Sequence, residues 1–560
     1  MTTSATDHST IQSKVVVFPS RSGKKMVGFI DALSTAAPDA PFVVMAPKYG
    51  QSKKNNLQMS YVFAQNGLRV LRFDHTNHIG ESEGEIVDYT LPGAVADILA
   101  ALDYLETEYG HSKVILQANS MSARCAIRAA SLDARIERLI CLVGIVDFRE
   151  TITLICQKDI IDVYVSGVEQ GVGDILGHDV NIDQFLKTSV DENMHDSVGT
   201  RDDFLKAKCD VFMFAAEKDA WVDFEKLKQL AEGANRVQIR EVKGVMHEMM
   251  ENPQAALKTI FAAVFVAKHG RFPREEELED VAEPNKREVF KQNKVERNRL
   301  RAVAPKRESE ADFWHSYLDK YKMLESVSAY KDYLKLIADC LGSPTEGAVY
   351  LDCGCGNGMF GAWCLRDLIA QSAVNWKTPA TYFGLDLTGK GLSEAARRHS
   401  TIANEGGGPA LRNLNRMYYR FDLDRIDASQ EKLLPLADQS ADRICCSLLI
   451  SYLKDPVFLV KELYRVLKPD GRIILSSMKP YCDLSLIYKG FLGETNSEEA
   501  VESARNLLSA AGVLQLKEDE GHYIFYSEDE LVEIMRQGGF DKTHVFRSFG
   551  EQANLVSSIK

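Results

Sequence analysis

No run of about 18 apolar residues occurs anywhere in the 560-residue chain, so no membrane-crossing helix is expected. The opening stretch, Met1 to Ser13, is polar and rich in Ser and Thr. It lacks a basic start followed by an apolar stretch, so no signal peptide is expected and the protein reads as cytoplasmic. A basic excess is also missing. Lys and Arg number 67 against 80 Asp and Glu, for a net charge of −13. A phosphate-backbone binder normally shows the opposite sign, so no nucleic-acid partner is expected. The 11 cysteines form no CxxC pair, and most sit inside apolar runs, as Cys141 and Cys445-Cys446 do. They read as reduced, buried thiols. Cys353-Gly-Cys355 has no second ligand pair, so no metal site is expected. Internal repeats and low-complexity tracts are absent too. With 45% hydrophobic and 26% charged residues, the composition is ordinary for globular chains and excludes general disorder.

Two stretches alternate short apolar runs with helical patterns, a sign of α/β domains with mainly parallel sheets. The expected domains are 14–268 and 312–560, with a charged linker at 269–311. That middle stretch holds charges of both signs, three prolines and almost no aromatics. It reads as a solvated connection with helical stretches. Its one basic concentration is Lys291 to Lys306.

In the first domain, Pro41–Ala46, Leu68–Phe73, Lys113–Gln117, Leu139–Val143 and Val211–Ala215 read as buried strands. After Lys113–Gln117 comes Ala118-Asn119-Ser120-Met121-Ser122, then a helical stretch. A nucleophile elbow has this layout and requires small residues two places either side of the nucleophile. Ala118 and Ser122 meet that need for Ser120. For Ser122, Arg124 would stand at the second flank, so Ser120 is the candidate. The backbone N–H of Met121 would then face a developing oxyanion. An acid and a histidine should follow in that order. Asp219 follows the strand ending at Ala216, and His247 follows the strand Val237–Val242. Active-site groups of open α/β sheets gather beyond the carboxyl ends of strands.

The segments Asn66–Gly84 (NGLRVLRFDHTNHIGESEG) and Gln117–Arg124 (QANSMSAR) resemble the acyl-transferase of bacterial bioluminescence, an α/β-hydrolase that releases fatty acid from acyl carrier protein or coenzyme A. Its elbow reads A-x-S-x-S, as here, and Asp219-Ala-Trp-Val222 resembles its acid region. The resemblance spans about 14–265. It implies Ser120, Asp219 and His247 as a catalytic triad and an acyl-serine formed from a thioester. The second oxyanion donor should come from the loop after Pro41–Ala46. Pro47 and Lys48 replace the usual small pair there, and Tyr49 is the expected donor. The stretch 147–206 is expected to be a cap shaping an acyl pocket.

In the second domain the strand Ala348–Asp352 runs into Cys353-Gly354-Cys355-Gly356-Asn357-Gly358 and then a helix. Glycines let a backbone approach a ligand closely. The dinucleotide fingerprint G-x-G-x-x-G is not met. The run G-x-G-x-G preceded by Asp352 instead resembles the first motif of class I S-adenosylmethionine-dependent methyltransferases. By that resemblance Asp352, Gly354, Gly356 and Gly358 cradle the methionine part of S-adenosyl-L-methionine. Asp386, at the end of the next strand, accepts the ribose hydroxyls, and Asp422 with Leu423 meets the adenine. The stretch Leu434–Ser447 resembles the run through the fourth strand, with Ser447 at the cofactor. Glu462–Leu475 resembles the family's turn before the fifth strand. The expected architecture is therefore α/β with two domains, an α/β-hydrolase followed by a Rossmann-like class I methyltransferase.

The N-P-P-Y-type motif for planar amines of nucleic bases is absent, which argues against base methylation. Tyr452, Tyr481, His522 and Tyr523 are candidate groups for a hydroxyl acceptor, and Lys479–Tyr526 is expected to be an acceptor-binding lid. The whole reads as a bifunctional enzyme. One domain transfers or hydrolyses an acyl group from an acyl carrier protein or coenzyme A thioester. The other methylates a small-molecule intermediate at a carboxylate or hydroxyl. The alternatives are a carboxylesterase or editing thioesterase fused to a methyltransferase, or one silent domain used as a docking platform.

Overall fold

A computed structural model describes residues 10–303, 309–320, 324, 326–371, 376–406, 412–424, 429, 434–494 and 497–560. The chain divides into two units. The first comprises Met1–Pro305 with Ala511–Glu520, and the second Lys306–Ala510 with Gly521–Lys560.

The first unit is built on strands β1 (Ile11–Pro19), β2 (Lys25–Leu33), β3 (Phe42–Ala46), β4 (Arg69–Phe73), β5 (Val114–Asn119), β6 (Ile136–Leu142), β9 (Asp210–Ala216) and β10 (Val237–Val242). Their order in the sheet is β1-β2-β4-β3-β5-β6-β9-β10. From β4 to β10 every pairing is parallel. The expected strands all lie in this part. The β1–β2 hairpin adds two antiparallel strands at one edge. Alternate residues of β3 serve opposite faces, as strand geometry requires. Phe42, Val44 and Ala46 join one core, and Val43 and Met45 join the other. This explains the unbroken apolar run FVVMA, which is buried throughout.

Helix Leu91–Tyr109 shows why such a sheet can be covered so tightly. The Thr90 side chain accepts from the Gly93 N–H, Pro92 sits in the first turn, and Gly110 closes the helix at φ 69°. Between β6 and β9 lies an insert of four helices, Phe148–Cys156, Ile160–Val165, Ile182–Asp191 and Ser197–Lys206. It also holds a small hairpin of β7 (Val172–Ile175) and β8 (His178–Asn181). Helix Lys286–Val303, within the charged middle stretch, belongs to this unit.

The second unit holds β11 (Val349–Cys353), β12 (Ala380–Asp386), β13 (Leu414–Arg420), β14 (Ala441–Cys446), β15 (Leu467–Met478), β16 (Thr543–Ser548) and β17 (Ala553–Ile559). The order is β13-β12-β11-β14-β15-β17-β16. The first five are parallel, and β17 runs antiparallel to both neighbours. Direction along the sheet reverses beside β11, and a crevice opens beyond the carboxyl ends of the strands at such a reversal. The corresponding reversal in the first unit falls between β3 and β5. No helix among the described residues is long and apolar enough to cross a membrane.

Candidate active sites

In the first unit β5 ends at Asn119 and a helix begins at Met121, so Ser120 must make the whole turn by itself. It does so at φ 51°, ψ −128°, a backbone conformation that L-residues rarely adopt. Its flanks are tightly enclosed. Ala118 is fully buried, and the Ser122 hydroxyl donates to the Pro47 carbonyl. A side chain at Gly144 would come within 2.8 Å of Ala123 Cβ.

The turn holds the Ser120 hydroxyl against His247. Ser120 Oγ lies 2.8 Å from His247 Nε2. His247 Nδ1 lies 2.8 Å from Asp219 Oδ2 and 3.1 Å from Oδ1. The side chains of His247 and Asp219 are only 10% and 2% exposed, so water competes little for these hydrogen bonds. Asp219 is held in turn, because Oδ1 accepts the N–H groups of Trp221 (2.9 Å) and Val222 (3.1 Å). Three residues separated by up to 127 positions thus form one hydrogen-bonded line.

Met121 is the first residue of its helix, where N–H groups have no intrahelical acceptor. Tyr49 is placed differently from its neighbours in this line. Its hydroxyl donates to the Ile175 carbonyl at 3.2 Å, and its ring packs on Tyr89, His78 and His178. Burial pushes the phenol's pKa far above its ordinary value, with Asp174 and Asp179 adding to the rise. Any part in binding an oxyanion would therefore fall to the Tyr49 backbone N–H. Lys48 and Glu248, next in sequence to Tyr49 and His247, form an ion pair that sequence reasoning missed. Nothing but proximity in space signals it.

In the second unit one cavity gathers most of the predicted positions. Asp352, Gly354, Gly356, Asp386, Asp422, Leu423 and Ser447 all line it. Gly358 is not among the lining residues. Its N–H donates to the Cys355 carbonyl, and its carbonyl accepts from His399 Nε2 at 2.6 Å. A Cβ there would meet Ala395 Cβ and His399 Nε2, both at 2.7 Å. Burial lowers the His399 pKa to about 4, so the ring is neutral and its Nδ1 can accept from the Tyr418 hydroxyl at 2.7 Å.

Asp386 is pre-set by backbone. Oδ2 accepts from Gly356 N–H at 2.9 Å and Oδ1 from Thr388 N–H at 2.8 Å. Asp352 is fully enclosed, and burial raises its pKa to about 7. The Tyr382 hydroxyl, donating at 2.6 Å, opposes that rise, and the nearby Asp386 carboxylate adds to it. The Ser447 hydroxyl is 2.5 Å from that of Tyr333, which lies 2.6 Å from Ser476.

Tyr452, His522 and Tyr523 line the same cavity, whereas Tyr481 does not. The lining also includes Glu310, Trp314, Tyr317 and Asn357, which sequence reasoning passed over. The aromatic cluster Phe313-Trp314-His315-Ser316-Tyr317, beside an otherwise aromatic-poor stretch, was the available signal. Among the described residues no group of three or more His, Cys, Asp or Glu could hold a metal ion.

Residues 42–298 match the family model described as acyl transferase, and residues 323–545 match the one described as methyltransferase domain. The acyl transferase of Photobacterium phosphoreum is 25% identical over 212 residues, which span 38% of this chain and 69% of that protein. The acyl transferase of Photorhabdus laumondii subsp. laumondii is 25% identical over 212 residues, spanning 38% and 68%. Among solved structures, Est1E from Butyrivibrio proteoclasticus with ferulic acid bound is 15% identical, with a TM-score of 0.38, over 45% of this chain and 99% of that one. The esterase domain of a Rhodothermus marinus protein is 16% identical, with a TM-score of 0.33, over 46% and 98%. The chain is an enzyme of two α/β parts, the first matching the acyl transferase family model and the second the methyltransferase domain model.

Proposed function

We propose that the first unit transfers or hydrolyses the acyl group of an acyl carrier protein or coenzyme A thioester through an acyl-serine at Ser120. The observation that carries this is the line from Ser120 Oγ to His247 Nε2 at 2.8 Å and from His247 Nδ1 to Asp219. His247 takes the hydroxyl proton at Nε2 as Oγ bonds to the thioester carbonyl carbon. Asp219 holds the Nδ1 proton, which fixes the tautomer and steadies the imidazolium. The Met121 N–H, with that of Tyr49, receives the oxyanion. As the carbon–sulfur bond breaks, His247 returns its proton to the departing thiolate. Water or a second acceptor then takes the acyl group by the same route reversed.

The second unit would hold S-adenosyl-L-methionine and methylate a small molecule. Its cavity suits a cationic guest. Among the described residues the lining carries the carboxyl groups of Glu310, Asp352, Asp386, Asp422 and Asp424 and one lysine, Lys454. Among the described residues the buried Asn357 Nδ2 has no hydrogen-bond acceptor, which leaves it a donor for an anionic end of the guest. Gly356 stands in the lining at φ 49°, and a Cβ there would meet nothing closer than Leu318 at 3.7 Å, so the bare backbone leaves room for a ligand. When bound, this cofactor supplies an electrophilic methyl group. Asp386 would accept its ribose hydroxyls, a task its two oxygens fit. Asp352 would face its ammonium group, and Asp422 and Leu423 its adenine.

The test has two arms. The protein is incubated with acyl thioesters of graded chain length and with a fluorophosphonate, and its intact mass is measured. A covalent adduct that vanishes in Ser120→Ala supports the acyl-serine, and absence of any adduct overturns it. Calorimetric titration with S-adenosylhomocysteine tests the second unit, and the absence of binding there overturns the cofactor reading.

A further inference from the structure

The turn that follows β3 is anchored residue by residue. The Pro47 carbonyl accepts from the Ser122 hydroxyl, and Lys48 pairs with Glu248. The Tyr49 hydroxyl donates to the Ile175 carbonyl. Gln51 N–H closes the turn on the Lys48 carbonyl at 3.1 Å, with Gly50 at φ 75°, as in turns that need a positive φ at their third residue. The Gly50 N–H leaves the turn and donates to His78 Nε2 at 3.1 Å.

His78 lies in the loop after β4. It is only 5% exposed, and its ring packs against those of Tyr49, Tyr89 and His75, with centroids 5.8, 5.1 and 6.1 Å away. Because Nε2 accepts, the ring is neutral and carries its proton on Nδ1. Burial, and then the neighbouring His75 and His178, hold its pKa well below the ordinary histidine value. Loop and turn share a second anchor. Asp74 Oδ1 accepts the Lys53 N–H at 2.7 Å, and Oδ2 accepts the Glu81 N–H at 2.8 Å. The chain just beyond the turn and the chain just beyond His78 are thus held to one carboxylate. Gly50 also meets the insert, where a Cβ would come within 3.0 Å of His178 Nε2.

We propose that His78 is a positioning residue for oxyanion binding, its Nε2 fixing the turn that presents the Tyr49 N–H to the reacting carbonyl. The proposal rests on the acyl-serine reading above and adds to it a residue outside the triad. The Gly50 N–H belongs to the central peptide of the turn, which in a free four-residue turn can face either way. Its hydrogen bond to a buried, neutral ring selects one orientation. Gly50 and Gln51 spend their N–H groups on His78 and on closing the turn, so the oxyanion falls to the residues before them. A donor serves an oxyanion best when it is aimed there before the reaction begins. Without the His78 acceptor the Gly50 N–H loses its partner at a partly buried site, and turning the peptide toward another acceptor relieves that cost. The Tyr49 backbone turns with it.

The test is labelling of the full chain by a fluorophosphonate, followed by intact mass and resolved into a limiting rate and a half-saturating concentration. Phosphonylation places the phosphoryl oxygen on the same donors as the oxyanion. His78→Leu should lower the limiting rate about ten- to hundredfold and leave the half-saturating concentration within about threefold. His78→Gln, whose side-chain carbonyl can accept in place of Nε2, should come within about fivefold of the unaltered protein. The unfolding midpoint of each variant is measured alongside. If His78→Leu does not fold, His78→Asn, whose shorter side chain stops nearer the place of Nδ1, stands in for it. A limiting rate in His78→Leu within about threefold of the unaltered protein overturns the proposal. So does an equal loss in His78→Leu and His78→Gln, or a loss confined to the half-saturating concentration. Failure of the unaltered protein to label brings down the acyl-serine reading itself, and the proposal with it.

Discussion

Arg72, fully buried on β4, clasps both carboxylate oxygens of Glu296, 224 positions away, at 2.6 and 2.7 Å. Its other face meets Asp31 at 2.5 and 3.2 Å. These two carboxylates raise the arginine's pKa against the opposing effect of burial, the largest single influence on it. Glu296 lies on helix Lys286–Val303, so a stretch that reads as solvated charge carries an ion pair into the interior of the first unit.

Glu296→Ala should destabilise that unit by about 3–5 kcal/mol, because it leaves half of a buried guanidinium without compensation. Arg21→Ala, which breaks the half-exposed pair with Asp103, should cost under about 1 kcal/mol. The check is the temperature at which each variant loses its capacity to be labelled by fluorophosphonate, a readout confined to the first unit. Equal loss in the two variants would refute the prediction.

Asp219→Asn should preserve the fold and slow acyl-serine formation by roughly three to four orders of magnitude. The Trp221 and Val222 N–H groups pin Oδ1, so the new amide nitrogen takes the place of Oδ2, 2.8 Å from His247 Nδ1. An N–H facing Nδ1 forces the ring proton onto Nε2, where it can no longer accept from Ser120. Single-turnover labelling followed by intact mass measures the rate.

Binding of S-adenosylhomocysteine should strengthen as pH rises toward 7 and then level off. Burial raises the Asp352 pKa to about 7, so the group is neutral below that value and anionic above it. An ammonium guest favours the anionic form. The slope should approach tenfold per pH unit below 7 at most, and Asp352→Asn should give a weaker, flat profile. Titration calorimetry between pH 5.5 and 8.5 decides it. A flat wild-type profile would remove Asp352 from the ammonium site.

Gly358→Ala should act on folding of the second unit before it acts on ligand contact. The residue sits at φ 82°, and its Cβ would press into Ala395 and His399 at 2.7 Å. Since Gly358 does not line the cavity, the damage is steric. We expect a loss of about 2 kcal/mol or more, seen in chemical denaturation without ligand. Unchanged stability together with lost S-adenosylhomocysteine binding would return Gly358 to the binding surface.

Much was legible in the residues. Strand β3 announces itself as an unbroken apolar run, and β4 to β6 as mainly apolar ones, because a parallel sheet covered on both faces needs no polar alternation. Ser120 was legible through its small flanks, which the turn's crowding demands. The glycines after Asp352 were legible because only glycine tolerates positive φ without strain. The hairpin β1–β2 was harder to read. Its first strand alternates buried and exposed residues irregularly, and Val15 and Val17 face solvent.

By itself the sequence determined which local turns must form and which chemistry each can offer: a serine at a strained elbow, an acid before a glycine loop, a histidine after a strand. Those depend on neighbours a few positions away. Tertiary structure alone decided that Tyr49 turns its ring to Ile175 and His178, that Glu296 ends on Arg72, and that Trp314, Tyr452 and Tyr523 close into one wall. Each of these joins residues more than 60 positions apart. Their partners are set by the register and crossover of whole sheets, and no local pattern in the chain encodes that.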